Sequence, residues 1–131
     1  MIGYVTLGTN DLSRAADFYD AVLAELGAKR SREHERYIAW QVEPGQPQLL
    51  LIDPYDGNDA SVGNGVMVGL RAGSPEKVRA VFERAIALGG KDEGPPGLRK
   101  NPPGFYAAYV RDLDGNKLVF YCTEKISLPC D

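Results

Sequence analysis

Histidine and tryptophan each occur once in this chain, and cysteine twice. The one histidine, His34, lies in a charged run, where a surface position is expected. Ser31, Ser61 and Ser74 therefore have no histidine partner at the spacing of a nucleophilic motif. Cys122 and Cys130 lie near the C-terminus, and a disulfide between them would close only a short tail. Reduced thiols in a cytoplasmic protein are the expectation. No apolar run approaches the roughly 20 residues of a membrane span. The net charge of −3 leaves no basic footprint for nucleic acid. The opening Met1-Ile2-Gly3-Tyr4 carries no basic region or cleavage site and is expected to lead straight into a strand.

What is present is an ordinary globular composition with an internal repeat. Hydrophobic residues make up 44% of the 131 residues and charged ones 25%, which suits a single domain with a real core. Tyr4-Val5-Thr6-Leu7 reads as a strand, followed by a helix capped by Asp11 and closed at Gly27. Val66-Met67-Val68-Gly69-Leu70 reads as a second such strand, before a helix capped by Ser74 with Pro75 at its first position and closed at Gly89. Met67 stands 63 positions after Tyr4, Ser74 stands 63 after Asp11, and Gly89 stands 62 after Gly27. Such a repeat implies two similar modules, here about residues 1–56 and about 63–131, packed around a shared cleft.

The remaining segments complete each module. Residues 28–36 are highly charged and read as an exposed edge strand or its turn, and 37–42 and 48–52 as two further strands. Residues 53–65 form the linker. The Gly- and Pro-rich stretch 91–104 is either a functional loop or a bulged excursion before the next strand. Phe105–Arg111 and Lys117–Thr123 read as strands joined by the tight turn Asp112-Leu113-Asp114-Gly115-Asn116. Asp112 and Asp114 are then turn residues rather than an acid/base pair, and Glu43, Glu93 and Glu124 carry no signal. Each module reads as strand, helix, then two or three strands, and the helices can all cover one face of a mixed sheet, which makes the fold class α+β.

Three stretches carry a resemblance to a known family. They are Tyr4-Val5-Thr6-Leu7-Gly8-Thr9-Asn10-Asp11-Leu12 with Arg14-Ala15-Ala16-Asp17-Phe18-Tyr19, then Gly63-Asn64-Gly65-Val66-Met67-Val68, and finally Tyr106 through Asn116. In this order and spacing the chain resembles the vicinal oxygen chelate superfamily of glyoxalases, bleomycin-resistance proteins, fosfomycin-resistance enzymes and extradiol dioxygenases. The resemblance implies paired βαβββ modules whose sheets form a U-shaped cleft with the helices on the outer face, that members of this size commonly dimerise, and that metal ligands occupy the first strand of each module and the last strand of one or both. Carried over, those ligand positions fall on Tyr4, Met67, Val119 and a residue near Leu50 or Ile52. None is a histidine or carboxylate, the donors that divalent metals need there. No metal and no cofactor is therefore expected. Glyoxalase, thiol-transfer and ring-cleaving chemistry, each dependent on a metal, loses its basis.

Strand alternation gives the company of these positions. Ile2 and Thr6 accompany Tyr4, while Gly69 and Arg71 accompany Met67; Lys117 and Tyr121 accompany Val119, and Phe105, Ala107, Tyr109 and Arg111 share their face on the neighbouring strand. The opposite faces, including Val5, Leu7, Val68, Leu70, Leu118 and Phe120, suit a helix-covered core, and Cys122 falls with them. The expected ligand-binding set is thus Tyr4, Leu50, Ile52, Met67, Arg71, Tyr109, Lys117, Val119 and Tyr121. Its phenols and cations suit a small aromatic or anionic molecule. The alternative is that Arg71, Arg111 and Lys117 stand in water at strand ends, while Met67 and Val119 fill space.

The leading expectation is a metal-independent, cytoplasmic small-molecule binder with no nucleic-acid or membrane partner; a homodimer is open to it through the resemblance, and the sequence does not decide it. A second is a diverged lyase or isomerase using Tyr4, Tyr109 or Lys117. A third is a structural or interaction module whose cleft is packed shut.

Overall fold

The computed structural model describes residues 1–123. Cys130 and Glu124 lie outside the described residues. Strand β1 (Tyr4–Gly8), helix α1 (Leu12–Ala24) and strands β2 (Lys29–Glu33), β3 (Tyr37–Gln41) and β4 (Gln48–Ile52) form the first module. Strand β5 (Val68–Arg71), helix α2 (Pro75–Ala87) and strands β6 (Lys91–Leu98), β7 (Phe105–Arg111) and β8 (Lys117–Thr123) repeat the order. The α+β, two-module architecture is the one the repeat predicts.

Each helix starts where its cap places it. The Asp11 carboxylate accepts from the Arg14 backbone N–H at 3.0 Å, and the Ser74 hydroxyl accepts from the Lys77 N–H at 3.1 Å. These bonds satisfy N–H groups that a helix start otherwise leaves without partners. Gly27 and Gly89 follow the helices with φ of 81° and 101°, the left-handed region that glycine enters without penalty.

The strands form two four-stranded sheets of matching order, β1-β4-β3-β2 and β5-β8-β7-β6. In each, the first strand pairs in parallel with the last and the other pairings are antiparallel. Alternation sends Leu7, Leu49, Leu51, Leu118 and Phe120 to the helix-covered side, where all are buried. Phe18, Tyr19 and Val22 of α1 and Val78, Val81 and Ala85 of α2 meet them there. Each large apolar side chain so buried contributes about 1.5–3 kcal/mol. Cys122 is buried on the same side, as its parity predicts. The helices pack on their own sheets and on each other, and among the described residues no strand of one sheet pairs with a strand of the other.

Two segments resolve what periodicity leaves open. Residues 91–98 form a bulged edge strand, with register shifts between Asp92 and Gly94 and between Gly94 and Gly97. Pro95 and Pro96 cannot donate to a ladder, which confines them to such an edge. Strand β5 starts at Val68, so Met67 precedes it, 45% exposed. On the first module's edge, β2 is exposed throughout; Arg30 ties it to α1 through both Asp20 carboxylate oxygens, at 2.9 and 2.6 Å. Trp40 Nε1 donates to Asp20 at 2.9 Å, and the Arg30 contact is the main cause holding the Asp20 acid below its ordinary range.

A buried polar knot joins the modules. The Tyr19 hydroxyl of α1 donates to Asp112 Oδ2 at 2.6 Å, across 93 positions of sequence. Asp112 also accepts from the Asn116 side chain at 2.9 Å and from the backbone N–H groups of Asn116 and Asp114 at 2.8 and 2.9 Å. Asn116 donates onward to the Gly8 carbonyl at 2.9 Å, while Asp114 accepts from the Asn10 N–H at 3.0 Å. Asp112 and Asp114 are turn residues, as expected, but the Asp112 carboxylate is also the bond between the halves.

Burial, and then the neighbouring Asp112 charge, raise the Tyr19 phenol well above its ordinary value. Tyr19→Phe removes one donor from a buried carboxylate and is expected to destabilise the fold by about 1–3 kcal/mol in urea denaturation. The unfolded chain releases the Tyr19 proton near pH ~10 while the fold retains it, so this contribution is complete below that pH and declines above it. The gap between wild type and Tyr19→Phe should accordingly narrow as pH rises past about 10; a constant gap would contradict the account.

Candidate functional site

The sheet faces turned away from the helices carry the predicted site residues, in two separate groups. On the first sheet, pairing of Thr6 and Ala39 with Leu50, and of Tyr4 with Gln48, puts Tyr4, Leu50 and Ile52 on one face. Tyr4 is 65% exposed there, and Leu50 and Ile52 are half-buried. On the second sheet, Val119 stands opposite Gly69 and Tyr109, and Tyr121 opposite Arg71 and Ala107. The structure brings Arg71, Tyr109, Lys117, Val119 and Tyr121 onto one face and leaves the first group on the other sheet.

The second face is the more elaborate. Val119 is buried although it lies on the side without a helix. Tyr121 stacks at a tilt on Phe105, with ring centroids 5.4 Å apart. The Tyr109 ring is approached by two cations, with Arg99 Cζ 5.2 Å and Lys117 Nζ 5.5 Å from its centroid. Cations over an aromatic face are attracted by its negative quadrupole. Arg99 is fixed by donating to the carbonyls of Pro95 and Ala107, the latter at 2.8 Å. Its Nε is buried and has no hydrogen-bond partner among the described residues. Gly94 makes room for the phenol, because a Cβ there would stand 3.0 Å from Tyr109 Cδ2.

Neither Arg99 nor Gly94 is legible as a site residue in the sequence. Both lie in the Gly- and Pro-rich stretch, where no periodicity assigns a face, and only the bulges aim them at Tyr109. Glu93 is the other omission: its carboxylate lies 3.0 Å from Arg111 Nε, which holds the acid below its ordinary range. His34 is exposed, as expected, and stacks on Tyr37.

Two cavities adjoin the second face. A groove of about 720 Å³ runs from the end of α1, past Trp40 and the β3–β4 turn, to Met67, Arg71 and Tyr121. A smaller cavity of about 460 Å³ lies between the linker residues Val62–Met67 and the pair Arg111 and Lys117. Tyr4, Leu50, Ile52, Tyr109 and Val119 line neither.

The fold family's metal can be tested against these residues. Tyr4, Met67 and Val119 offer a phenol, a thioether and a hydrocarbon, and no group of three His, Cys, Asp or Glu side chains is gathered among the described residues. These side chains do not fit a divalent metal.

Paired βαβββ modules with open, aromatic-lined sheet faces define a glyoxalase-type scaffold. The chain belongs to the Glyoxalase/Bleomycin resistance protein/Dioxygenase superfamily, whose family model matches residues 1–120. It is similar to a crystal structure of a glyoxalase/bleomycin resistance protein from Albidiferax ferrireducens T118, at 36% identity and a TM-score of 0.84, covering 92% of this chain and 97% of that one. A hypothetical protein from S. aureus is 26% identical with a TM-score of 0.72, covering 92% of this chain and 91% of that one. A glyoxalase/bleomycin resistance protein/dioxygenase family enzyme from Burkholderia phytofirmans PsJN shares the fold at 16% identity and a TM-score of 0.73, over 93% of this chain and 98% of that one. No curated protein matches the chain.

Gly94→Ala tests the packing around Tyr109. The added methyl should displace the ring, shift the Tyr109 ring and Lys117 amide resonances, and destabilise the fold by about 1 kcal/mol. Unchanged resonances would show that the ring does not depend on the space Gly94 leaves.

Proposed function

We propose that this chain is a cytoplasmic, metal-independent binding protein of the glyoxalase/bleomycin-resistance type, which takes a small aromatic or anionic molecule against the open sheet faces. One observation carries the reading. Val119 sits where the family resemblance implies a metal-binding carboxylate, and the surface around it is built from Tyr109, Tyr121, Lys117 and Arg71. A phenol held between two cations offers an aromatic face and hydrogen bonds together, which suits orienting a planar or charged ligand.

The homodimer belongs to the same proposal. The first strand of each sheet, β1 or β5, has a free edge, and Ile2, Tyr4, Val66 and Met67 around these edges are all more than two-fifths exposed. A second copy would cover this apolar surface and bring the Tyr4 face of one chain opposite the Tyr109 face of the other. No helix of the described residues is long and apolar enough to cross a membrane.

The test combines metal analysis with ligand binding. Protein purified without chelator should hold far less than one equivalent of divalent metal, and its binding of aromatic carboxylates, followed by calorimetry, should survive EDTA unchanged. Tyr109→Ala should weaken that binding by roughly tenfold, as loss of an aromatic contact flanked by cations predicts. Stoichiometric metal, or binding abolished by EDTA, would overturn the reading. Turnover of an oxo-aldehyde hemithioacetal, lost in Tyr109→Phe, would instead favour the lyase.

A further inference from the structure

One end of the second sheet carries a row of like charges. Lys91 of β6 stands opposite Arg111 of β7, and Arg111 stands opposite Lys117 of β8. Residues in register on neighbouring strands share a face, and like charges placed directly opposite destabilise the pairing. The chain as a whole has a net charge of −3, so a row of three cations is not a sample of a generally basic surface. Glu93 answers it as one carboxylate against three cations, bonding Arg111 Nε at 3.0 Å and lying within the field of Lys91 and Lys117. Arg111 donates separately to the Gly115 carbonyl at 3.1 Å, and neither Lys91 nor Lys117 forms an ion pair among the described residues.

Arg111 and Lys117 face the cavity of about 460 Å³, whose opposite wall is the linker Val62–Met67. Gly63 and Gly65 leave part of that wall to backbone. Val66 N–H closes a turn on the Gly63 carbonyl at 3.2 Å, and Gly65 has φ of 93°. A Cβ on Gly63 would stand only 2.4 Å from Val66 Cγ2, so the turn admits no side chain there. Val62 anchors the linker over the β7–β8 turn, close enough that a Cβ on Gly115 would lie 3.3 Å from Val62 Cγ1.

We propose that this cavity binds a small oxyanion, a phosphate or carboxylate group, between Arg111 and Lys117 on one side and the Gly63–Gly65 turn on the other. The anion supplies the negative charge that the cation row lacks. The Arg111 guanidinium offers directed donors and the Lys117 ammonium a mobile point charge, a pairing suited to oxygen anions. Glu93 competes with the anion for Arg111. The assignment rests on the ligand-binding reading above and places the ligand's anionic end, because Lys117 serves both the cavity and the Tyr109 ring.

The test is an NMR titration of the full ¹⁵N-labelled chain at low ionic strength with inorganic phosphate, acetate and phenol in separate arms. Phosphate or acetate should shift the amides of Gly63, Asn64, Gly65 and Arg111 with saturation. Lys117→Met should weaken the response roughly tenfold or more, the scale of a lost charged hydrogen bond. Glu93→Gln should tighten it severalfold by freeing Arg111. The spectra themselves report whether each variant is folded. Phosphate and acetate arms that both saturate mark a general oxyanion site, and saturation in one alone names the anion. Anion shifts that never saturate, or that persist unchanged in Lys117→Met, overturn the site. A response to phenol at Tyr109 and Tyr121 with silence toward both anions overturns the oxyanion site and leaves the aromatic-ligand reading standing. A saturating anion response with silence toward phenol supports the site and removes the aromatic face from that reading.

Discussion

The buried carboxylate of Asp112 is the constraint on which the arrangement of the two modules depends. A charge taken out of water is tolerated only when its oxygens are bonded. Asp112 meets that condition with donors from both halves of the chain: the Tyr19 hydroxyl from the first module, and Asn116 with two backbone N–H groups from its own turn. Among the described residues no strand of one sheet pairs with a strand of the other, and helix packing and this knot join the modules. Asn116 and Asp114 extend it to Gly8 and Asn10, at the junction of β1 and α1. The turn at the far end of the second module is thus bonded to the residues just ahead of the first helix.

That arrangement also decides what each sheet can do with its open face. With the helices gathered on one side, no helix of the described residues covers the opposite faces. The second face has been filled from within its own module, by Tyr109, Tyr121, Phe105 and a buried Val119. The first face, with Tyr4 largely exposed, has not. The family's frame is retained. A row of cations, Lys91, Arg111 and Lys117, and the aromatic rings of Tyr109, Tyr121 and Phe105 belong to the second sheet.

Much of the fold was legible in the sequence because it follows from local rules. Asp11 and Ser74 announce their helices through cap chemistry, and the alternation from Tyr4 to Leu7 and from Lys117 to Cys122 separates core from open face. The site was legible only in part. Arg71, Tyr109, Lys117, Val119 and Tyr121 were grouped by parity and do share a face, and Tyr4, Leu50 and Ile52, read from the first module's strands, share the open face of the first sheet. Parity tells which side of a sheet a residue occupies but not which sheet it faces. Arg99, Gly94 and Glu93 were missed because register shifts break the alternation between Asp92 and Gly97.

By itself the sequence determined the two-module repeat, in which a strand, a helix and further strands recur in order, and where each helix begins and ends. Each is set by residue type and spacing within a few positions of the chain. Only the tertiary structure decided that Tyr19 bonds Asp112, that Arg99 and Lys117 converge on Tyr109, and that Lys91, Arg111 and Lys117 form one row. These depend on how distant strands and helices come to rest against one another, and the free energy of those contacts is shared across the packed core rather than written at any one position.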